Sequence, residues 1–209
     1  PPPPDKIPPE HPPVLFGKIQ PHPPDIGHPS ASGKNSLEAG LRLLEEHAGV
    51  LLVIIYHGTP ITPRDVLHTM AGRSFCVSHA APNDLRTCMA IGQSVMLDNG
   101  AFSVWTRGAT PDWPAFYAWC EPHLSPVHWA VVPDVIDGTA EDNLALAAQW
   151  PHRREWAAIV WHLHEPLDHL ARLSDEWPRV CFGSSGTYAD PQSDAWHARI
   201  DAAWNLLER

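Results

Sequence analysis

At 209 residues the chain has the length of a single domain able to bury a sizeable core. Its formal charge of −10 sets it apart from proteins that grip nucleic acid on a broad basic face. It holds no run of about 18 apolar residues, so no membrane span is expected, and its N-terminus lacks the charged and apolar regions of a signal peptide. The four cysteines, Cys76, Cys88, Cys120 and Cys181, form no Cys-x-x-Cys pair. They read as reduced core thiols of a cytoplasmic protein, not as zinc ligands or a disulfide frame.

The start of the chain is set apart by proline: twelve of the 24 prolines fall within the first 30 residues. Proline fixes φ and removes a backbone donor, so residues 1–34 are expected to be a disordered or extended tail. Regular patterning begins at Asn35 and Glu38, which read as a helix start ahead of Leu37, Leu41, Leu43 and Leu44. Strand-like and helix-like runs then alternate. Val50–Tyr56 is expected to be the first strand and Pro63–Met70 its helix. Ser74–Ser78 with Asn83–Ile91 follows, then Ser94–Leu97 with Trp113–Leu124. The last three pairs are Trp129–Val132 with Ala140–Trp150, Ala157–Trp161 with Leu167–Trp177, and Val180–Phe182 with Ala195–Leu207.

Six βα units at this spacing imply a parallel α/β fold. The strands are near-continuous apolar runs, as in sheets covered on both faces. The first strand is followed by His57-Gly58-Thr59-Pro60, not by Gly-x-Gly-x-x-Gly, so a dinucleotide site is not supported. Polar residues follow nearly every strand: His57, His79, Asp98, Asp134, His162 with His164, and Ser184 with Ser185. Barrels assemble their sites at that end. Of an open doubly wound sheet and a barrel, the barrel is the preferred expectation: a (β/α)8 TIM-barrel-like domain over residues 35–209, shortened to about six βα units. The end of the chain inside a helix, at Leu206-Leu207-Glu208-Arg209, fits a truncated barrel.

The most informative stretch is Val95-Met96-Leu97-Asp98-Asn99-Gly100-Ala101-Phe102-Ser103. An apolar run delivers a carboxylate to its end, turns at a glycine and then offers an aromatic ring. Read plainly, this is a strand, an Asn-Gly turn and an acid capping the next element. Read functionally, Asp98 touches a flat group and Phe102 covers it.

Asp98-Asn99-Gly100-Ala101-Phe102-Ser103 resembles the Asp-Ser-Gly-Gly-Phe-Gln motif of the tRNA-guanine transglycosylases, keeping the acid, the first glycine and the aromatic. Further landmarks follow in that family's order: Val132-Pro133-Asp134, then Trp161-His162-Leu163-His164, then the small-residue turn Phe182-Gly183-Ser184-Ser185-Gly186. The compact form is also similar to the phage and bacterial relatives that insert 7-deazaguanines into DNA.

The resemblance implies base exchange: a carboxylate attacks C1′, guanine leaves, and an incoming 7-deazaguanine displaces the enzyme. Asp98 would be the catalytic acid and base. Phe102 would stack on the purine, and Asp134 would accept hydrogen bonds from its N–H edge. His162, His164, Gly183 and Ser184 would complete the substrate-binding set, with the Gly183 backbone close to the base. The partners would be DNA or tRNA and a guanine or 7-deazaguanine base; no cofactor or metal is expected here, because the family's zinc-ligand cysteines have no match. Ser103 stands where the family has Gln, and His162-Leu163-His164 where it has Gln-Gly-Gly. No match for the family's nucleophilic Asp or zinc-binding cysteines is present, so this chain alone is expected to be inactive.

Two rivals stand beside this reading. His162 and His164, with His57, His79 and Asp134, could ligate zinc in a metal-dependent hydrolase. A non-catalytic fragment would also carry these patterns. Asp137, Glu141 and Asp142 are expected to cap and charge a helix start, Asp175 and Glu176 to be solvated, and Arg153-Arg154 to be a weak phosphate-contact candidate.

Overall fold

The computed structural model describes residues 54–208; the proline-rich block and the helix expected from Asn35 lie outside them. Six strands form one sheet: β1 (Tyr56–Gly58), β2 (Ser74–Ser78), β3 (Ser94–Asp98), β4 (His128–Val131), β5 (Ala157–His162) and β6 (Val180–Gly183). Each neighbouring pair is parallel, and the order in space is the order along the chain. A doubly wound sheet reverses its strand order at a switch point. Winding without reversal builds a barrel wall, and here it gives half of one, flanked by helices.

The helices are α1 (Arg64–Thr69), α2 (Leu85–Ile91), α3 (Ala101–Thr106), α4 (Trp113–Cys120), α5 (Ala140–Ala147), α6 (Leu167–Glu176) and α7 (Asp194–Leu207). Their starts carry the expected chemistry. Asp112 accepts from the Ala115 amide at the head of α4. Thr139 and Asp142 form a reciprocal capping box on α5, and Ser193 caps α7.

Three local expectations change. Among the described residues the first strand is Tyr56–Gly58, and Ile54 and Ile55 of the expected Val50–Tyr56 strand lie outside it. The Tyr56 hydroxyl meets Ser94 Oγ at 2.9 Å and accepts from Trp129 Nε1 at 2.9 Å, which helps to fix where this strand enters the sheet. Ile54 and Ile55 stand exposed, and residues 50–53 lie outside the described ones. A short helix, α3, follows Asp98 where only a turn is legible. Asp137 does not cap α5; it accepts from Trp105 Nε1 at 3.0 Å.

Period-2 alternation divides the core into two layers. One face of the sheet, including Phe75, Val95, Leu97, Ile159, Trp161 and Phe182, packs with helix residues such as Phe116, Leu170 and Leu173. The opposite face carries Met96, Trp129, Val131, Ala158, Val160 and Cys181, with Tyr56 and Cys76 against them. All four cysteines are free. Among the described residues no helix is long and apolar enough to cross a membrane.

Candidate functional site

The same alternation selects which strand-end residues meet. On β3 the inner side chains are those of Met96 and then Asp98. On β5 they are Ala158, Val160 and then His162, and on β6 Cys181 and then Gly183. Asp98, His162 and Gly183 therefore share one face at the carboxyl ends of three strands. They line a cleft, partly open to solvent, together with Asn99, Phe102, Asp134, Ser184 and Ser185. Val131, Val160 and Ile136 supply its apolar surface.

Six of the seven site residues named from sequence thus line one cleft; His164 does not. β5 ends at His162, and a tight turn follows in which the Glu165 amide donates to the His162 carbonyl. His164 is exposed in that turn, with Nε2 3.1 Å from the Gly138 carbonyl. Its ring stacks on that of His162 at 5.5 Å between centroids.

Asp98 sits where the strand turns into α3. Its Oδ2 accepts from the Gly100 amide at 3.1 Å, a turn contact; the helix that follows has no side-chain cap, so Asp98 does not cap it. Gly100 adopts φ +76°, and a Cβ there would lie 3.1 Å from the Ala80 amide nitrogen and Cβ. Both facts call for glycine. Burial raises the pKa of Asp98; hydrogen bonds from Ser78 and Gly100 oppose that shift, and the charge of Asp134 adds to it. A carboxyl held this way keeps its proton to higher pH than a free one.

Asp134 is buried and engaged on both oxygens. Oδ1 accepts from Asn99 Nδ2 at 2.7 Å, and Oδ2 lies 3.0 Å from His162 Nε2. Asn99 also donates to the Val132 carbonyl and accepts from the Ala101 amide, so it ties β4 to the start of α3. His162 is 1 % exposed. Its contact with Asp134 is a close charge pairing rather than an aligned hydrogen bond, and its Nδ1 has no protein partner. Burial pushes this imidazole toward the neutral form. The carboxylates of Asp134, Glu165 and Asp137 outweigh that effect, and the pKa stands above the ordinary 6.5.

At Gly183 the protein's own packing also demands glycine. A Cβ at this position would lie 2.6 Å from His162 Nδ1 and 3.0 Å from Val160 Cγ1. The histidine ring itself requires the glycine, before any ligand enters. Ser184 donates its hydroxyl to the Tyr188 carbonyl, which leaves its oxygen lone pairs free to accept. Phe102 is half-buried, with its ring 5.8 Å from that of Trp105.

Two histidines of the rival metal reading, His57 and His79, lie apart from His162, His164 and Asp134. His57 faces the helix layer, 6.4 Å from the Phe75 ring, and His79 packs between Phe116 and Trp119. Among the described residues no three His, Cys, Asp or Glu side chains are arranged to hold a metal ion. Arg153 and Arg154 lie over the rings of Trp156 and Trp177, ahead of β5 and so at the far end of the sheet from the cleft.

Sequence reading missed a buried polar layer behind the cleft. Glu165 is 2 % exposed and Asn143 3 %. Glu165 Oε1 accepts from Asn143 Nδ2 at 2.8 Å, and Oε2 accepts from the His162 amide at 3.2 Å. Glu165 follows a turn and Asn143 sits in a polar stretch of helix, so both read as solvent-facing. Only the spacing of Asn143 four residues after the Thr139 cap, and so within the first turns of α5 where it faces the sheet, could have signalled otherwise.

A pH dependence follows from His162. The folded chain holds its proton more tightly than the unfolded chain does. The pair therefore contributes most below pH 6.5, and that contribution is lost as pH rises through the folded-state value. Urea midpoints taken between about pH 5 and pH 9 should fall across this window in wild type, and the fall should be smaller in His162→Gln. An equal slope in the variant would remove His162 as its source.

No family model, curated protein or solved structure matches this chain.

Proposed function

We propose that the cleft binds a flat purine-type base and that the protein serves base exchange in DNA or tRNA, replacing guanine by a 7-deazaguanine. The observation that carries this reading is the placement of Asp98, Asp134 and Phe102 around one cleft with an apolar surface. Such a slot suits a planar heteroaromatic ring: apolar atoms and Phe102 against its faces, carboxylate oxygens against its N–H edge. Each oxygen of Asp134 keeps a lone pair after accepting one contact. Engaged on both oxygens, Asp134 suits recognition better than attack. Asp98, with its raised pKa, suits the proton transfers that release one base and admit the next. The attack on C1′ needs a further carboxylate, so base binding is the property to test in this chain.

Calorimetric titration of the protein with guanine and with 7-deazaguanine should show binding of at least one. Phe102→Ala should weaken it about 5- to 150-fold, the equivalent of roughly 1–3 kcal/mol of stacking. In a form of the protein that exchanges labelled base into nucleic acid, Asp98→Asn should abolish exchange with the fold intact, because an amide cannot shuttle the proton. Failure of wild type to bind either base, or full exchange by Asp98→Asn, would overturn the reading.

A further inference from the structure

We infer that Glu165 and Asn143 are positioning residues: from behind the cleft, they hold the Asp134–His162 couple in place. Neither is among the residues lining the cleft. Asn143 Oδ1 accepts from the Val135 amide at 2.7 Å, which pins the backbone one residue beyond Asp134. Its Nδ2 donates to Glu165 Oε1, and Glu165 Oε2 accepts from the His162 amide. One buried carboxylate thus fixes the backbone beside both members of the couple, directly on β5 and through Asn143 on the loop after β4.

This carboxylate is itself held. The His169 Nε2 lies 3.7 Å from Glu165 Oε2, and Arg172 approaches His169 Nδ1 at 3.0 Å. Arg199 Nε donates to the Leu163 carbonyl at 2.7 Å, and its guanidinium also binds the Glu165 carbonyl, fixing the turn that presents the glutamate. A buried carboxylate that accepts two N–H groups is costly to leave unpaired, and a chain of such bonds aligns groups it does not touch. Substrate-side groups need this second layer, since a site about 1 Å too loose binds and reacts poorly.

The chemistry of Glu165 predicts which substitutions matter. Both Glu165 oxygens act as acceptors. In Glu165→Gln one of them becomes an amide donor, so either the His162 amide or Asn143 Nδ2 loses its partner while volume is kept. Asn143→Ala releases the Val135 amide without changing any charge.

The test is the titration of the His162 imidazole, followed by NMR in the full 209-residue chain. The groups facing this ring are Asp134 and Asp137 from the loop after β4, Glu165 and His164 from the turn after β5, and Cys181 with Gly183 from β6. In Asn143→Ala, which changes no charge, the His162 pKa should fall toward 6.5 as Asp134 drifts away; Glu165→Gln also removes a carboxylate that acts on the ring directly, so Asn143→Ala carries the test. Asp112→Ala, which strips the cap of the remote helix α4, should lower stability and leave the titration unchanged. Wild type offers a second measurement that needs no variant. Val135 has an exposed side chain, yet its amide should exchange slowly with solvent because Asn143 holds it.

An unmoved titration in Asn143→Ala, or a freely exchanging Val135 amide, overturns the inference. The consequence for guanine affinity, a loss in both variants, rests on the proposed base-binding reading. If the titration moves but wild type binds no guanine, the positioning role stands and the base-binding reading falls.

Discussion

Asp134→Ala should be among the most destabilising single substitutions in the cleft. It removes the carboxylate that faces a buried, raised-pKa imidazole and takes the second bond of Asn99. Breaking a buried pair on one side strands the other partner, at a cost of roughly 3–5 kcal/mol. For a domain of this size that is a drop in Tm of about 6–20 °C. The expected result has a chemical signature. Asp134→Asn keeps the volume, still accepts from Asn99, and can donate its amide to a neutral His162 Nε2. It should therefore cost less than Asp134→Ala, and it should flatten the fall in stability between neutral and alkaline pH. Thermal melts of the two variants across that range decide the matter. If both substitutions are mild and leave the pH slope intact, the couple is not the stabilising unit described here.

Gly183→Ala is the second large effect. The added methyl would sit 2.6 Å from His162 Nδ1 and 3.0 Å from Val160 Cγ1. His162 is boxed in by Asp134, by the stacked His164 ring and by its own strand, so it cannot yield cheaply. Overpacking of this kind costs roughly 1–3 kcal/mol, and the two close contacts place it at the upper end. The cause is separable by a double-mutant cycle in urea. In a His162→Ala background the methyl has space, and the cost of Gly183→Ala should fall below about 1 kcal/mol, partly offset by the backbone entropy that glycine loses on folding. The same cost in both backgrounds would show that Val160 or the backbone, not His162, is the obstacle.

The strand ends carry most of what could be read in advance, and the failures there are informative. Asp98, His162 and Gly183 were legible because each closes an apolar run at the position whose side chain faces inward. His57 and His79 close or follow runs in the same way but fall one residue out of phase. Tyr56 and Ser78, their neighbours in the chain, occupy the inner positions, which sends both histidines into the helix layer. Counting alternation from the strand centre separates the two groups; listing polar residues after strands does not. His164 fails for a different reason. The period of two that would place it beside His162 on one face stops where β5 stops, and the chain turns there.

Apolar runs, their spacing and their punctuation determined the βα alternation, the parallel sheet and the end at which polar residues gather. These are properties of local pattern: a buried strand must be apolar, and a turn must tolerate the backbone it needs. The order of the strands without a switch point was decided only by the tertiary structure, because either winding satisfies the same local pattern. So were the burial of Glu165 and Asn143, the capture of both Asp134 oxygens, and the reason for glycine at position 183. Each depends on which group comes to lie within about 3 Å of another across strands 20 to 40 residues apart in the chain. A polar side chain is hidden or exposed according to the partner that satisfies it, and the partner is set by the fold.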